Sequence, residues 1–159
     1  MPTYSKIPAI APGSALAILR ITLGAFFGST FFEHLRKGLY TPAGYASLIH
    51  SYIQYGHAPT VWKAVMGSAA GAATIAAPMQ AILESSLAIL LVIGLLSRPA
   101  AFIAFVFLSG LWVSEWGLAW IWELLVPVIV AASLALAPSG EHMALDVALA
   151  RRWPRLAIW

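Results

Sequence analysis

The sequence predicts an all-α integral membrane protein: a four-helix transmembrane bundle with an outer amphipathic helical loop and a cytoplasmic C-terminal surface helix. Of its 159 residues, 61% are hydrophobic and only 9% are charged, too few charges to cover a soluble domain of this size. Four apolar runs are each about long enough to cross ~30 Å of hydrocarbon. Proline, glycine and polar clusters separate those runs. We therefore predict a single transmembrane domain over residues 1–159.

The four predicted spans cover residues of about 14–37, 78–97, 99–117 and 119–137. The first run lacks a basic leader and a small-residue cleavage site, so we expect it to be retained and not to act as a signal peptide. Pro78 is expected to begin the second span, because proline is favoured at the start of a helix. The link between the third and fourth spans is short, which predicts an antiparallel hairpin.

The long connection over residues 39–77 is predicted to be helical and to lie at the outer membrane interface. Apolar side chains recur there at helical spacing, at Tyr45, Leu48, Ile49, Tyr52 and Ile53. Residues 56–59 should break this helix, and a second short helix is expected from near Thr60. The Ala/Gly-rich stretch 67–77 leaves a fifth or re-entrant span open. Residues 141–152 are predicted to form the C-terminal surface helix.

Basic residues near the span ends predict the orientation. With four spans, the N-terminus, the second loop and the C-terminus share one side, which carries Lys6, Arg98, Arg151, Arg152 and Arg155. The positive-inside rule places both termini in the cytoplasm. The net charge of +3 is interpreted as this orientation signal. We expect no nucleic-acid partner, because the chain has no basic groove interleaved with aromatic residues.

Four of the six acidic residues are predicted to lie near the outer membrane face: Glu33, Glu84, Glu115 and Glu123. Three of them sit at span ends, where water or neighbouring basic residues explain them. Glu84 lies inside an apolar helix, where a charged side chain costs about 2.5 to 3.5 kcal/mol on insertion scales. We expect Glu84 to face a polar site in the outer half of the bundle; a structural hydrogen bond to a neighbouring helix is the alternative.

Two chemistries fit such a site. A buried carboxylate with an adjacent histidine can exchange protons with the head of a quinone. His34, His50 and His57 are predicted on the same side as the glutamates; His34 lies nearest to a span, where a capping or hydrogen-bonding role is favoured. A metal site of glutamate and histidine is the weaker hypothesis, because the helical Glu-x-x-His pairs of di-iron bundles are absent. No nucleophilic triad, phosphate loop or dinucleotide fingerprint is visible. We therefore predict neither catalytic residues nor a bound metal.

Two further patterns lie inside the predicted spans. Gly24 and Gly28 form a small-xxx-small pattern that favours close helix contact, either within the bundle or between two copies of the chain. Three tryptophans recur at four-residue spacing toward the outer end of the third span: Trp112, Trp116 and Trp120. An interfacial aromatic belt is the favoured interpretation, and a stacking wall for a flat ring is the alternative.

Four short motifs resemble the DoxX/DoxD family of small membrane proteins. They are residues 19–24 (LRITLG), 83–87 (LESSL), 94–101 (GLLSRPAA) and 138–146 (PSGEHMALD). The resemblance implies a four-helix protein of the prokaryotic cytoplasmic (inner) membrane, related to subunits linked to quinol oxidation and to thiosulfate:quinone oxidoreductase. By position it implies roles for Arg20, Glu84 and Arg98.

Together these observations predict an accessory or quinone-interacting subunit of a respiratory-type oxidoreductase, not catalytic on its own, with quinone or quinol as its cofactor. The predicted cofactor-binding residues are Glu84, Glu33, His34, Arg20, Arg98, Glu115 and Glu123. The expected partners are the lipid membrane and other membrane or periplasmic subunits. Two alternatives stay open: a purely structural or assembly subunit, and a small-solute or proton-coupled carrier, which inverted repeats would favour but the two halves do not display.

Overall fold

The computed structural model describes residues 12–137 and 145–146. Its described residues contain six helices and no strand, which confirms the all-α prediction. The helices are α1 (Pro12–Arg36), α2 (Pro42–Tyr55), α3 (Thr60–Gly71), α4 (Ala73–Ile93), α5 (Ser97–Ser114) and α6 (Ile121–Leu136).

Three helices are long and apolar enough to cross a membrane: Gly13–Arg36, Ala73–Ile93 and Ser97–Ser114. The fourth apolar helix, α6, is shorter, and its 16 residues span about 24 Å at 1.5 Å per residue. Each of the four carries large apolar side chains that are more than half exposed, at Ile18, Ile82, Phe102 and Ile129. A helical surface of this kind is typical of a protein solvated by lipid.

The four apolar helices pack as two close pairs, α1 against α4 and α5 against α6, and α1 also contacts α6. Their shared core is built from leucine, phenylalanine and alanine, including Leu23, Phe27, Leu87, Leu91, Ala104, Leu108, Ala131 and Leu134. A tight turn joins α4 to α5, with positive φ at Gly94 (71°) and Leu96 (52°). A glycine suits the first of these positions because it has no side chain to clash in the left-handed region.

The contact between α1 and α4 depends on Gly24. A Cβ added there would lie 2.8 Å from Val92 Cγ2 and 2.9 Å from the Val92 backbone nitrogen. At Gly28 an added Cβ would lie 3.9 Å from Ala88 Cβ, an ordinary contact distance. Of the two alternatives for this glycine pattern, the structure uses Gly24 within the chain, so that face of α1 is already covered by α4.

Helices α2 and α3 form a second layer, called the α2/α3 end below, that packs against the apolar helices α4 and α5. Their own small core contains Ile49, Ala58, Met66 and Ala70, with Trp62 packed against it. The predicted amphipathic helix, the break over residues 56–59 and the second helix from Thr60 are all confirmed.

The boundaries of the predicted spans need correction. The second span was expected to begin at Pro78, but α4 begins at Ala73 and contains that proline. Pro78 is the sixth residue of α4, beyond its first turn, and it interrupts the backbone hydrogen bonds there because proline has no N–H to donate to the carbonyl of residue 74. Residues 67–77 divide between the end of α3 and the start of α4. The third and fourth predicted spans, 99–117 and 119–137, correspond to α5 and to the shorter α6.

The predicted C-terminal surface helix, residues 141–152, lies outside the described residues except for Leu145 and Asp146, which are helical. Asp146 fastens this segment to the α4–α5 turn. Its two carboxylate oxygens accept hydrogen bonds from the backbone N–H groups of Leu96 and Ser97, at 2.7 and 2.8 Å. Its own backbone N–H donates to the carbonyl of Gly94 at 2.9 Å. Asp146 thus caps the start of α5 from a distant part of the chain.

Candidate functional site

The candidate site is built around Glu84, the one glutamate that the sequence places deep within an apolar run. Glu84 lies in the middle of α4 and is completely buried, with 0% of its surface exposed. The sequence predicted it about two turns from the start of its span; it lies about three turns in, because α4 starts at Ala73. A buried carboxylate without partners would be costly, so its surroundings decide its role.

Three side chains from three segments contact the Glu84 carboxylate. Gln80, one turn earlier on α4, donates its amide N–H to Oε1 at 2.7 Å. The Tyr40 hydroxyl donates to Oε2 at 2.5 Å. His34 Nδ1, from the last turns of α1, lies 3.1 Å from the same oxygen. This cluster of Glu84, His34, Tyr40 and Gln80 is called the Glu84 cluster below.

Tyr40 is held in place by the turn that follows α1. Gly38 adopts a left-handed φ of 69°, which reverses the chain so that the Tyr40 ring returns to the helix end. The ring then lies 5.4 Å from the ring of Phe31 and 5.8 Å from that of His34, centroid to centroid. Burial raises the pKa of Tyr40 well above its ordinary value, and the hydrogen bond and charge of Glu84 raise it further. Tyr40 therefore remains protonated and acts as a hydrogen-bond donor.

The Glu84 cluster connects the interior of the protein to its surface. The side chain of Glu84 is fully buried, whereas that of His34 is 17% exposed. An imidazole in this position can accept or donate a proton on either ring nitrogen, depending on its tautomer. The arrangement is therefore chemically able to exchange protons between a buried carboxylate and the exterior.

Two predicted site residues on α1 do not join the cluster. Arg20 is completely buried, and its Nη1 donates to the carbonyls of Leu91 and Val92, at 2.5 and 3.2 Å. It lies fourteen residues before His34, which corresponds to about 21 Å along a helix. Glu33 is exposed and pairs with Lys37 at 2.5 Å, one turn later on the same helix. Arg20 therefore supports the far end of α4, and Glu33 forms a surface ion pair.

The remaining predicted residues also lie apart from Glu84. Arg98 is exposed in the first turn of α5, and Glu123 is exposed in the first turn of α6. Glu115 directly follows α5 and is partly buried; its Oε1 accepts a hydrogen bond from the Tyr52 hydroxyl at 2.6 Å. Burial raises the pKa of Glu115; the Tyr52 hydrogen bond opposes the shift, nearby Glu123 adds to it, and His34 weakly opposes it. Of the four glutamates, Glu84 and Glu115 are thus the two that are at least partly buried and hydrogen-bonded by side chains from other segments.

A cavity of about 200 Å³ lies beside Glu115. It is lined by Trp112, Glu115, Trp116, Gly117, Ala119, Trp120, Ile121 and Leu124. Trp112 and Trp116 are stacked, with ring centroids 5.9 Å apart and an angle of 16° between their planes. The spacing of these tryptophans predicts an interfacial belt, with a stacking wall for a flat ring as the alternative; in the structure Trp112, Trp116 and Trp120 all line this cavity.

The α2/α3 end fixes the turn that carries this cavity. The His57 backbone N–H donates to the Trp116 carbonyl at 2.7 Å, and the Trp62 indole N–H donates to Ser114 Oγ at 2.9 Å. Gly117 has a φ of 85°, and an added Cβ would lie 1.9 Å from His57 Nδ1. No side chain other than hydrogen fits there without displacing the histidine.

Sequence reasoning missed three contact residues of these two acids. Gln80 could have been found, because residues four apart share one face of a helix. Tyr40 and Tyr52 carry no such signal, since they reach their carboxylates across 44 and 63 residues of chain. Within the described residues, no group of three or more histidine, cysteine or acidic side chains is arranged to hold a metal ion.

Comparison with known proteins gives no further assignment: no protein-family model, curated protein or solved structure matches the chain.

Proposed function

We propose that the protein is a small four-helix membrane subunit of a respiratory-type redox assembly, in which the Glu84 cluster exchanges protons with the head of a quinone or quinol. The subunit has no catalysis of its own and acts with membrane or periplasmic partner subunits. It resides in the cytoplasmic (inner) membrane of a prokaryote, with both termini in the cytoplasm.

The observation that carries this proposal is the buried Glu84 carboxylate with His34 and Tyr40 on one of its oxygens. Intramembrane acids are costly, and they mark proton or substrate pathways more often than structural sites. Reduction of a quinone takes up protons, and a membrane subunit that serves it must move them between water and a lipid-soluble head. A buried carboxylate joined to a partly exposed imidazole supports that task.

The packing of α6 supports the four-helix arrangement. Helix α6 lies against α5 along its length and also contacts α1, so it belongs to the same layer as the three longer apolar helices. Its length of about 24 Å is somewhat below the ~30 Å of a typical hydrocarbon core. A bilayer adapts to such a mismatch at modest cost.

We also propose that the chain is DoxX/DoxD-like, and segments that carry this resemblance lie close together. Arg20, from the first motif, binds carbonyls at the end of α4, directly before the motif over residues 94–101. Asp146, from the last motif, binds the backbone of that same turn. The first and the last motif thus both contact the end of α4 or the turn that follows it, and the motif over residues 83–87 contains Glu84.

Quinone content and binding test the proposal. The protein is purified in a mild non-ionic detergent, its lipid extract is assayed for quinone by mass spectrometry, and decylubiquinone binding is measured by calorimetry. We expect native quinone in the extract and saturable binding, both reduced at least about tenfold by Glu84→Gln. The matched control is Glu33→Gln, the same substitution at the exposed glutamate next to His34, which should leave both measurements unchanged.

Co-purifying proteins provide a second measurement. A native preparation that contains neither quinone nor partner proteins, and that does not bind decylubiquinone, would remove the basis of the proposal. Circular dichroism and elution volume of each variant distinguish a lost binding site from a lost fold.

One observation favours a second candidate, a structural or assembly subunit. Both oxygens of Glu84 are already occupied by side chains from α4, the end of α1 and the following turn. Such a carboxylate can hold these segments together by hydrogen bonds without binding any ligand. Partner proteins that co-purify with both the wild type and Glu84→Gln, with no quinone in either, would support this candidate.

A further inference from the structure

Glu115, the second glutamate that is hydrogen-bonded by a side chain from another segment, has a different environment from Glu84. Its one hydrogen-bonding side chain in the described part of the chain is Tyr52, which occupies Oε1. No lysine or arginine among those residues forms an ion pair with it. Lys63, the basic residue of α3, instead donates to the carbonyls of Ile53 and Gly56, each at 2.8 Å. The carboxylate therefore retains capacity for a positively charged partner.

The cavity beside Glu115 offers aromatic surfaces to the same partner. Trp112 and Trp116 stack with their planes nearly parallel, and Trp120 lines the cavity from the other side of the turn. The face of a tryptophan ring attracts cations because its π-electrons carry partial negative charge. Indole faces combined with an acidic side chain form the arrangement that recognises quaternary ammonium groups.

The size and charge of the cavity narrow the class of ligand. Its volume of about 200 Å³ is below the roughly 300–1,000 Å³ of pockets for drug-sized molecules, so it fits a small headgroup. An ionised carboxylate only accepts hydrogen bonds, whereas the oxygens of a quinone or a phosphate are also acceptors. A cation or a hydrogen-bond donor is therefore favoured over either of those groups.

We propose that the cavity formed by Trp112, Glu115, Trp116 and Trp120 binds an alkylammonium group, such as the trimethylammonium head of a choline lipid or a free quaternary amine. This cavity is lined by none of the four residues of the Glu84 cluster, and the proposal does not depend on quinone binding there. Trp116 and Trp120 are exposed, so the cavity is accessible from outside the protein.

Calorimetric titration of the purified protein with choline tests the proposal. The comparison ligand is 3,3-dimethyl-1-butanol, which has the shape of choline but no charge. We expect saturable binding of choline and at least about tenfold weaker binding of the neutral alcohol. This comparison uses the wild-type protein alone, so it does not depend on whether any variant folds.

Variants then assign the binding to the cavity. Glu115→Gln and Trp116→Leu should each weaken choline binding about tenfold, whereas Trp116→Phe, which keeps an aromatic face, should weaken it less. Trp122→Leu is the matched control, because Trp122 is also exposed but does not line the cavity. Calorimetry is chosen because these substitutions would alter a fluorescence signal directly.

Native mass spectrometry separates the two sources of the ligand. After incubation with equal amounts of phosphatidylcholine and phosphatidylglycerol, preferential retention of the choline lipid by the wild type but not by Glu115→Gln identifies a lipid headgroup. Choline binding without that lipid preference identifies a free amine. The proposal is overturned by equal binding of choline and the neutral alcohol, by unchanged choline affinity in Glu115→Gln, or by binding of neither choline nor the choline lipid.

Discussion

The substitution Gly24→Ala tests the close contact between α1 and α4. The added methyl group would lie 2.8 Å from Val92 Cγ2, 2.9 Å from the Val92 backbone nitrogen and 3.1 Å from the Ala88 carbonyl oxygen. The Val92 side chain could rotate, but the two backbone atoms move only if the helices separate. Gly28→Ala is the matched control, because its nearest contact would be 3.9 Å.

The two substitutions are expected to change the free energy of unfolding differently. Overpacking a close contact costs about 1–3 kcal/mol, and alanine gains at most about 1 kcal/mol over glycine in a helix. Gly24→Ala should therefore destabilise the protein by about 1–2 kcal/mol, whereas Gly28→Ala should be neutral or slightly stabilising. The two variants should therefore differ by about 1–3 kcal/mol, which near 160 residues corresponds to unfolding midpoints about 2–12 °C apart.

Thermal unfolding in detergent, followed by circular dichroism, measures this difference. Equal midpoints for the two variants, or a higher midpoint for Gly24→Ala, would refute the reasoning. The oligomeric mass by light scattering should be unchanged in Gly24→Ala, because the glycine faces α4 of its own chain. A change in that mass would instead place Gly24 at a contact between copies.

Three further predictions concern the ends of the helices. Asp146→Ala should lower stability by about 1 kcal/mol in the same unfolding assay, because the N–H groups at the start of α5, including that of Ser97, lose their cap. Gly117→Ala should be strongly destabilising, and the double variant with His57→Ala should recover part of the loss, because it removes the ring that the methyl group would strike; no recovery would contradict this explanation. Choline binding should weaken as the pH falls through the pKa of Glu115, since only the ionised carboxylate attracts the cation. That pKa is raised by burial, so affinity measured by calorimetry should decline at a higher pH than for an exposed carboxylate.

The sequence was sufficient to predict the helices because their signals are local. Apolar length identified α1, α4 and α5, and the spacing of apolar side chains identified α2. The break at residues 56–59 followed from a glycine and a proline close together. The start of α4 was misplaced because a proline near a helix start and a proline at it produce the same pattern. Which of the two holds depends on whether the residues before Pro78 pack against the rest of the protein. They do, because Ala73 and Ala77 are buried.

The candidate site was predicted only in part. The burial of Glu84 followed from its apolar neighbours, since a carboxylate in such a helix must face the interior or be very costly. The sequence could not separate Glu115 from Glu33 and Glu123, because all three lie at helix ends. What distinguishes Glu115 is Tyr52, which arrives from α2 through tertiary packing. A contact between residues so far apart in sequence depends on how the connection between α1 and α4 folds back, and no local sequence pattern encodes that.

The connection between α1 and α4 therefore has a role beyond joining two helices. The buried Glu84 and the partly buried Glu115 each accept a hydrogen bond from a tyrosine of this connection: Tyr40 contacts Glu84, and Tyr52 contacts Glu115. The same connection contains His57, whose backbone N–H bonds the turn that carries Trp116. A version of the bundle with a short loop in its place would leave Glu84 and Glu115 without these donors. The hydrogen bonds from Tyr40 and Tyr52 thus offset part of the cost of burying these acids among apolar helices. The surroundings of both carboxylates therefore depend on the conformation of this connection.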